Sequence, residues 1–101
     1  MWHSIGSVDD FPDDEAVTVS IGEKQLAIYS IDGRLFATDA LCSHGRAYLA
    51  DGYLEGEEIE CPLHQGRFHV PTGKALCSPI TEDINTFEVK SEGGEVSVMI
   101  I

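Results

Sequence analysis

Cysteine and histidine occur together twice in this chain. Cys42-Ser43-His44 is followed, after sixteen intervening residues, by Cys61-Pro62-Leu63-His64. Each segment supplies one soft thiolate and one neutral imidazole, side chains that proteins use to bind iron and zinc. Two thiolates on one iron and two ring nitrogens on another would hold a [2Fe–2S] cluster. Two of each could also close a tetrahedral zinc site. Zinc fingers usually group both cysteines in one pair and both histidines in the other. Here each pair is mixed, which suits two irons better than one zinc. Cys42 and His44, two positions apart, point the same way in extended chain, and a turn at Pro62 lets Cys61 and His64 do the same. Gly45 and Gly66 lie beside or near the histidines. A missing side chain there lets backbone N–H groups approach cluster sulfurs. On the iron reading the chain is a one-electron carrier with redox proteins as partners.

Composition sets the frame for that chemistry. A chain of 101 residues, 43% of them hydrophobic, suits one small domain over residues 1–101 with a thin core. A metal centre joining two distant loops would add its binding energy to folding. Eighteen acids against six bases give a net charge of −12. Such a surface repels nucleic acid and favours steering toward basic partners. Three cysteines fit a disulfide scaffold poorly. The first fourteen residues show no basic and apolar leader pattern, and no apolar run reaches the length of a membrane span. The expectation is a cytoplasmic protein without membrane association.

The elements that must position the ligand loops read as β. Ala16–Ile21 and Gln25–Ile31 are rich in apolar and β-branched residues, with a turn at Gly22-Glu23-Lys24. Asp32-Gly33 is a strong hairpin signal leading into Leu35–Thr38, and Glu92-Gly93-Gly94 joins Thr86–Lys90 to Glu95–Ile100. Ser7 could cap one short helical turn. No long 3.6-residue periodicity occurs. From Leu41 to Pro79 lie five of ten glycines, three of four prolines and every cysteine. That mix favours loops, with short strands at Glu58–Glu60 and Gly66–Val70. The ends of the chain therefore form a framework, and a ligand-bearing lobe of about 41–79 is inserted into it.

Cys42-Ser43-His44-Gly45, Asp51-Gly52-Tyr53-Leu54-Glu55-Gly56 and Cys61-Pro62-Leu63-His64-Gln65-Gly66-Arg67-Phe68 resemble the Rieske ferredoxins of bacterial aromatic ring-hydroxylating dioxygenases. Thr72-Gly73-Lys74-Ala75-Leu76-Cys77 extends the likeness, which is densest from Phe36 to Pro79 and nearest the naphthalene dioxygenase type. The resemblance implies an all-β fold, a Rieske-type antiparallel β-sandwich with a small cluster-binding lobe. It implies one Rieske [2Fe–2S] cluster held by Cys42, His44, Cys61 and His64. It further implies electron transfer from an NADH-dependent flavoprotein reductase to a terminal oxygenase, with the histidines at the docking tip; a monomer suits a shuttle that must visit two partners. Rieske proteins of respiratory complexes carry an extra disulfide where this chain has Ala47 and Leu63. They also place a serine and a tyrosine beside the cluster where this chain has Gly66 and Phe68. Fewer donors imply a potential at the low end of the Rieske range of roughly −150 to +300 mV.

A small Rieske subunit of an assimilatory nitrite reductase would share the ligand pattern, and a zinc-binding interaction module is a third reading. The chain shows no catalytic base, nucleophile triad or phosphate-binding glycine loop, so no turnover of its own is expected. Cys77 reads as a small buried hydrophobe, and Pro79 resembles the proline of a loop covering the cluster. His3 and His69, outside the mixed pairs, read as surface or packing residues. Arg46 and Arg67 are expected to pair with the chain's own acids, among which Glu55, Glu57, Glu58 and Glu60 are the densest run. Trp2, Phe11, Tyr29 and Phe36 are expected in the core.

Overall fold

The computed structural model describes residues 1–43, 47–63, 66–76 and 82–100. Among them the chain forms strands β1 (Trp2–Ser7), β2 (Glu15–Ile21), β3 (Lys24–Ile31), β4 (Arg34–Asp39), β5 (Tyr53–Glu55) and β6 (Glu58–Glu60). β7 (Arg67–His69), β8 (Lys74–Ala75), β9 (Thr86–Phe87), β10 (Val89–Glu92) and β11 (Glu95–Met99) complete the order. They pair into a three-stranded sheet β1-β11-β10, a four-stranded sheet β2-β3-β4-β9 and a second four-stranded sheet β5-β6-β7-β8. The described pairings are antiparallel.

Local chemistry explains the framework. Asp32 and Gly33 both take positive φ (50° and 77°), as a two-residue turn matched to strand twist requires, and Ile31 pairs with Arg34 across it. Gly93 and Gly94 do the same between β10 and β11. Ser7 caps a short 3-10 turn over Val8–Asp10, its Oγ accepting from Asp9 N, while Asp10 reaches back to Ser7 N.

Strand β3 divides the molecule. Its side chains alternate between two cores, as the two-residue repeat demands. Leu26 and Ile28 face Phe11, Val96 and Val98 and close the framework. Ala27, Tyr29 and Ile31 face the other way and form the floor of the lobe, with Leu49, Ile59, Phe68, Val70 and Ile84. Tyr29 and Thr38 are fully buried, and their hydroxyls bond at 2.8 Å. Thr38 donates onward to Asp39 O, so the phenol is the donor. Burial pushes the Tyr29 hydroxyl far above the ordinary tyrosine value.

Four features differ from the sequence reading. The glycine-rich middle is mostly loop as expected, but it holds two further short strands, because β5 and β8 flank the two anticipated ones and complete a sheet. Thr86–Lys90 is not one strand. β9 pairs with β4, β10 pairs with β11, and the chain changes sheets at Glu88, whose carbonyl accepts from Met99 N. Trp2 is not a core residue: it points outward from a sheet edge, 37% exposed, with Lys90 Nζ 4.5 Å from its ring centroid. His3, its neighbour, is half-buried on the opposite face rather than on the surface. Phe11 and Tyr29 are buried as expected, and Phe36 is half-buried against the lobe core with Arg34 over its ring.

Candidate metal centre

Two hairpins carry the cysteines, and both close in the same way. In the first, Leu41 bridges Tyr48, and Cys42 N donates to Ala47 O at 2.9 Å. In the second, Glu60 pairs with Arg67 at the end of the β6–β7 ladder, and Cys61 N donates to Gly66 O at 2.8 Å. Each cysteine thus starts a loop whose closing carbonyl lies five residues on. Both thiols turn inward, at 4% and 1% residue exposure, into one apolar cluster with Tyr29, Phe68 and Ile84. Residues nineteen apart in sequence are thereby placed in one packed core.

The local sequence dictates this construction. Ile59 and Phe68 are cross-strand partners, both fully buried, and fix which face of β6 and β7 meets the floor. Gly52 lets the chain before β5 run against Glu60, since a Cβ there would overlap the Glu60 carbonyl. Ala47 is buried and Leu63 is 60% exposed, at the positions compared above with the disulfide of the respiratory proteins. Gly66 is buried and Phe68 lines the core, so neither brings a hydroxyl to the site. His44 and His64 lie outside the described residues, as do Gly45, Arg46, Gln65, Cys77 and Pro79.

Around the loops much of the acidic run converges on one cation. Arg67 bonds Glu60 at 3.0 Å, Glu55 at 3.1 Å and Glu58 at 3.4 Å. The hydrogen bond that Arg67 donates to Glu55 leads the causes that raise the guanidinium above its ordinary value. His69 bridges Thr72 Oγ1 (2.9 Å) and Glu57 (3.3 Å), so it is a hydrogen-bonded strand residue rather than simple packing. Pairing of Arg67 with the chain's own acids is what composition suggested. Sequence reasoning missed the long-range ties of the first loop. Ser43 Oγ donates to Glu82 O at 2.6 Å, and Tyr48 Oη donates to Gln25 Oε1 at 2.8 Å. Nothing local in the sequence announces either partner.

Two thiols in matched, glycine-bearing loops over an apolar floor fit the sulfur side of an iron–sulfur centre. Residues 1–88 match the model of the Rieske [2Fe–2S] domain. The chain belongs to the Rieske [2Fe–2S] family. It is 53% identical over 95 residues (94% of this chain, 91% of the relative) to the ferredoxin component of a naphthalene 1,2-dioxygenase/salicylate 5-hydroxylase system from Ralstonia. A ferredoxin from Sphingomonas yanoikuyae B1 superposes with a TM-score of 0.91 at 40% identity, covering 97% of each chain. A chain in a complex of reduced oxygenase and oxidised ferredoxin of carbazole 1,9a-dioxygenase gives 0.90 at 38% identity, covering 96% of this chain and 91% of that one. This Rieske chain is a ferredoxin, an electron carrier rather than an enzyme, and its cofactor is one Rieske-type [2Fe–2S] cluster.

Proposed function

We propose that this ferredoxin carries single electrons from an NADH-dependent flavoprotein reductase to the terminal oxygenase of an aromatic ring-hydroxylating dioxygenase. It does so as a cytoplasmic monomer and as one domain over residues 1–101, with the cluster lobe at about 41–79. Cys42 and Cys61 hold one iron; His44 and His64 hold the other. The observation that carries the reading is the pair of equivalent hairpins, whose buried cysteines meet in one core. Among the described residues no group of three metal-binding side chains forms, and no helix is long and apolar enough to cross a membrane.

When bound, the cluster supplies a site that gains and loses one electron without making or breaking a bond to substrate. The chain's own residues set the conditions around it. The apolar floor of Tyr29, Phe68 and Ile84 keeps water from the sulfur side. The Cys42 and Cys61 amides are committed to Ala47 and Gly66 carbonyls. Gly66 and Phe68 bring no hydroxyl to the centre, which favours a potential at the low end of the family range. The exposed leucines Leu41, Leu63 and Leu76 border the loops and offer apolar contact to a partner.

Reconstitution tests the reading. The holoprotein is combined with a flavoprotein reductase, a terminal oxygenase and an aromatic hydrocarbon, and NADH oxidation is followed together with hydroxylated product. Product formation that depends on this chain supports it. Reduction of the chain by such a reductase, with no onward transfer to any aromatic-ring oxygenase, contradicts it.

A further inference from the structure

We propose that Ser43 is a positioning residue for the metal centre. Its hydroxyl fastens the first ligand hairpin to a clasp, residues 82–85, that is also fastened to the sheet carrying the second hairpin. The inference rests on Cys42 and Cys61 being the sulfur ligands.

The clasp is traced by hydrogen bonds between segments far apart in sequence. Ser43 Oγ donates to Glu82 O, 39 residues away. The next residue, Asp83, accepts at Oδ1 from Ala75 N of β8 at 2.8 Å. Ile84 N donates to Gly73 O at 2.9 Å, and Ile84 itself is buried in the core that holds both cysteines. Gly73, at φ 74°, is where a Cβ would overlap the Ile84 carbonyl, so the clasp lies directly against the β7–β8 turn. Asn85 and Asp39 bond reciprocally, Asp39 N to Asn85 O and Asn85 N to Asp39 Oδ2, and tie the clasp to β4. β8 pairs with β7, and β7 continues directly from the second hairpin. A mechanical path therefore runs from Ser43 through residues 82–84 and β8 to the strand below Cys61. The hairpins are linked by the protein as well as by any group they share.

The chemistry of a hydroxyl limits what Ser43 does. It has one proton to donate, and that proton is given to Glu82 O at 2.6 Å. It is therefore not a donor to a cluster sulfur. Its removal loosens the relative placement of the hairpins without removing a hydrogen bond that stabilises the reduced state.

The test uses iron-loaded protein and five variants: Ser43→Ala, Ser43→Thr, Asp83→Ala, Asp83→Asn and the double variant Ser43→Ala with Asp83→Ala. Three quantities are read: the rate of bleaching by an iron chelator, the line width of the reduced paramagnetic resonance signal, and the midpoint potential. Ser43→Ala and Asp83→Ala are each expected to bleach about fivefold faster, the effect of one ordinary hydrogen bond, and to broaden the signal, with the midpoint unchanged. Ser43→Thr and Asp83→Asn, which keep a hydroxyl and a carbonyl acceptor, are expected to behave as the unmodified protein. Because the two ties act in series, the double alanine variant should fall short of the product of the single effects. Wild-type bleaching and line width in Ser43→Ala overturn the inference. So does a lowered midpoint with unchanged bleaching, which would make the hydroxyl a direct donor to the cluster. An unmodified protein without iron and acid-labile sulfide overturns the ligand reading instead, so the two failures are distinguishable.

Discussion

The two cysteine hairpins share a closing hydrogen bond but not a foundation. The second grows from the β6–β7 ladder, with β5 on one side and β8 on the other, and backbone bonds carry it to its last residue. The first projects from a single bridge between Leu41 and Tyr48. Side chains supply its support: Tyr48 on Gln25 and Ser43 on Glu82, with Ala40 paired through its backbone to Gln25 and Leu49. A site can thus present two equivalent cysteines while relying on the peptide ladder for one and on long-range side-chain bonds for the other. The first hairpin should be the softer half.

The largest effect is expected beneath the second hairpin. Phe68 is fully buried between that hairpin and the floor, and Phe68→Ala should cost about 3–5 kcal/mol. Chemical denaturation measures this, and a cost below about 1 kcal/mol would show that the ladder stands without its core. Tyr29 underlies both hairpins, so its change should not favour either. Tyr29→Phe should cost about 0.5–1.5 kcal/mol near neutrality by removing the bond to Thr38. The folded protein holds the phenol proton more tightly than the unfolded chain does. That contribution is complete below about pH 10 and is lost as pH rises beyond it. The stability profile of Tyr29→Phe should therefore fall less steeply in alkali than that of the parent. Parallel profiles would remove Tyr29 from the account.

Smaller effects sharpen the contrast between the loops. Tyr48→Phe removes one exposed bond and should cost no more than about 1 kcal/mol overall. Amide exchange should quicken at Cys42 and Leu49 while Cys61 and Leu76 stay as they were. In the unmodified protein the Cys61 amide should already exchange more slowly than the Cys42 amide. The reverse order would invert the assignment of the softer half.

Much of this architecture was legible in the residues. Asp32-Gly33 and Gly93-Gly94 announce their hairpins because two-residue turns need positive φ, and the apolar, β-branched run over Gln25–Ile31 announces β3 as a strand. The mixed pairs at Cys42 and Cys61 announce the centre because few arrangements place a thiol and an imidazole so close in sequence. The rest was hidden for physical reasons. β5 and β8 are three and two residues long, too short for any period to show. The split at Glu88 depends on which sheet each half meets, which local propensity does not encode. Trp2 looks like a core residue by type, but strand alternation turned it outward at an edge. Ser43 and Asp83 find partners 39 and 8 residues away, a pairing set by the fold alone.

The central claim is that Cys42 and Cys61 hold one iron of a two-iron centre whose other iron is held by His44 and His64. Paramagnetic resonance of the reduced protein, with iron and acid-labile sulfide measured on the same sample, tests it most directly. The account predicts two irons and two sulfides per chain, a rhombic signal and a midpoint near about −150 mV. Colourless protein containing zinc and no sulfide would contradict it.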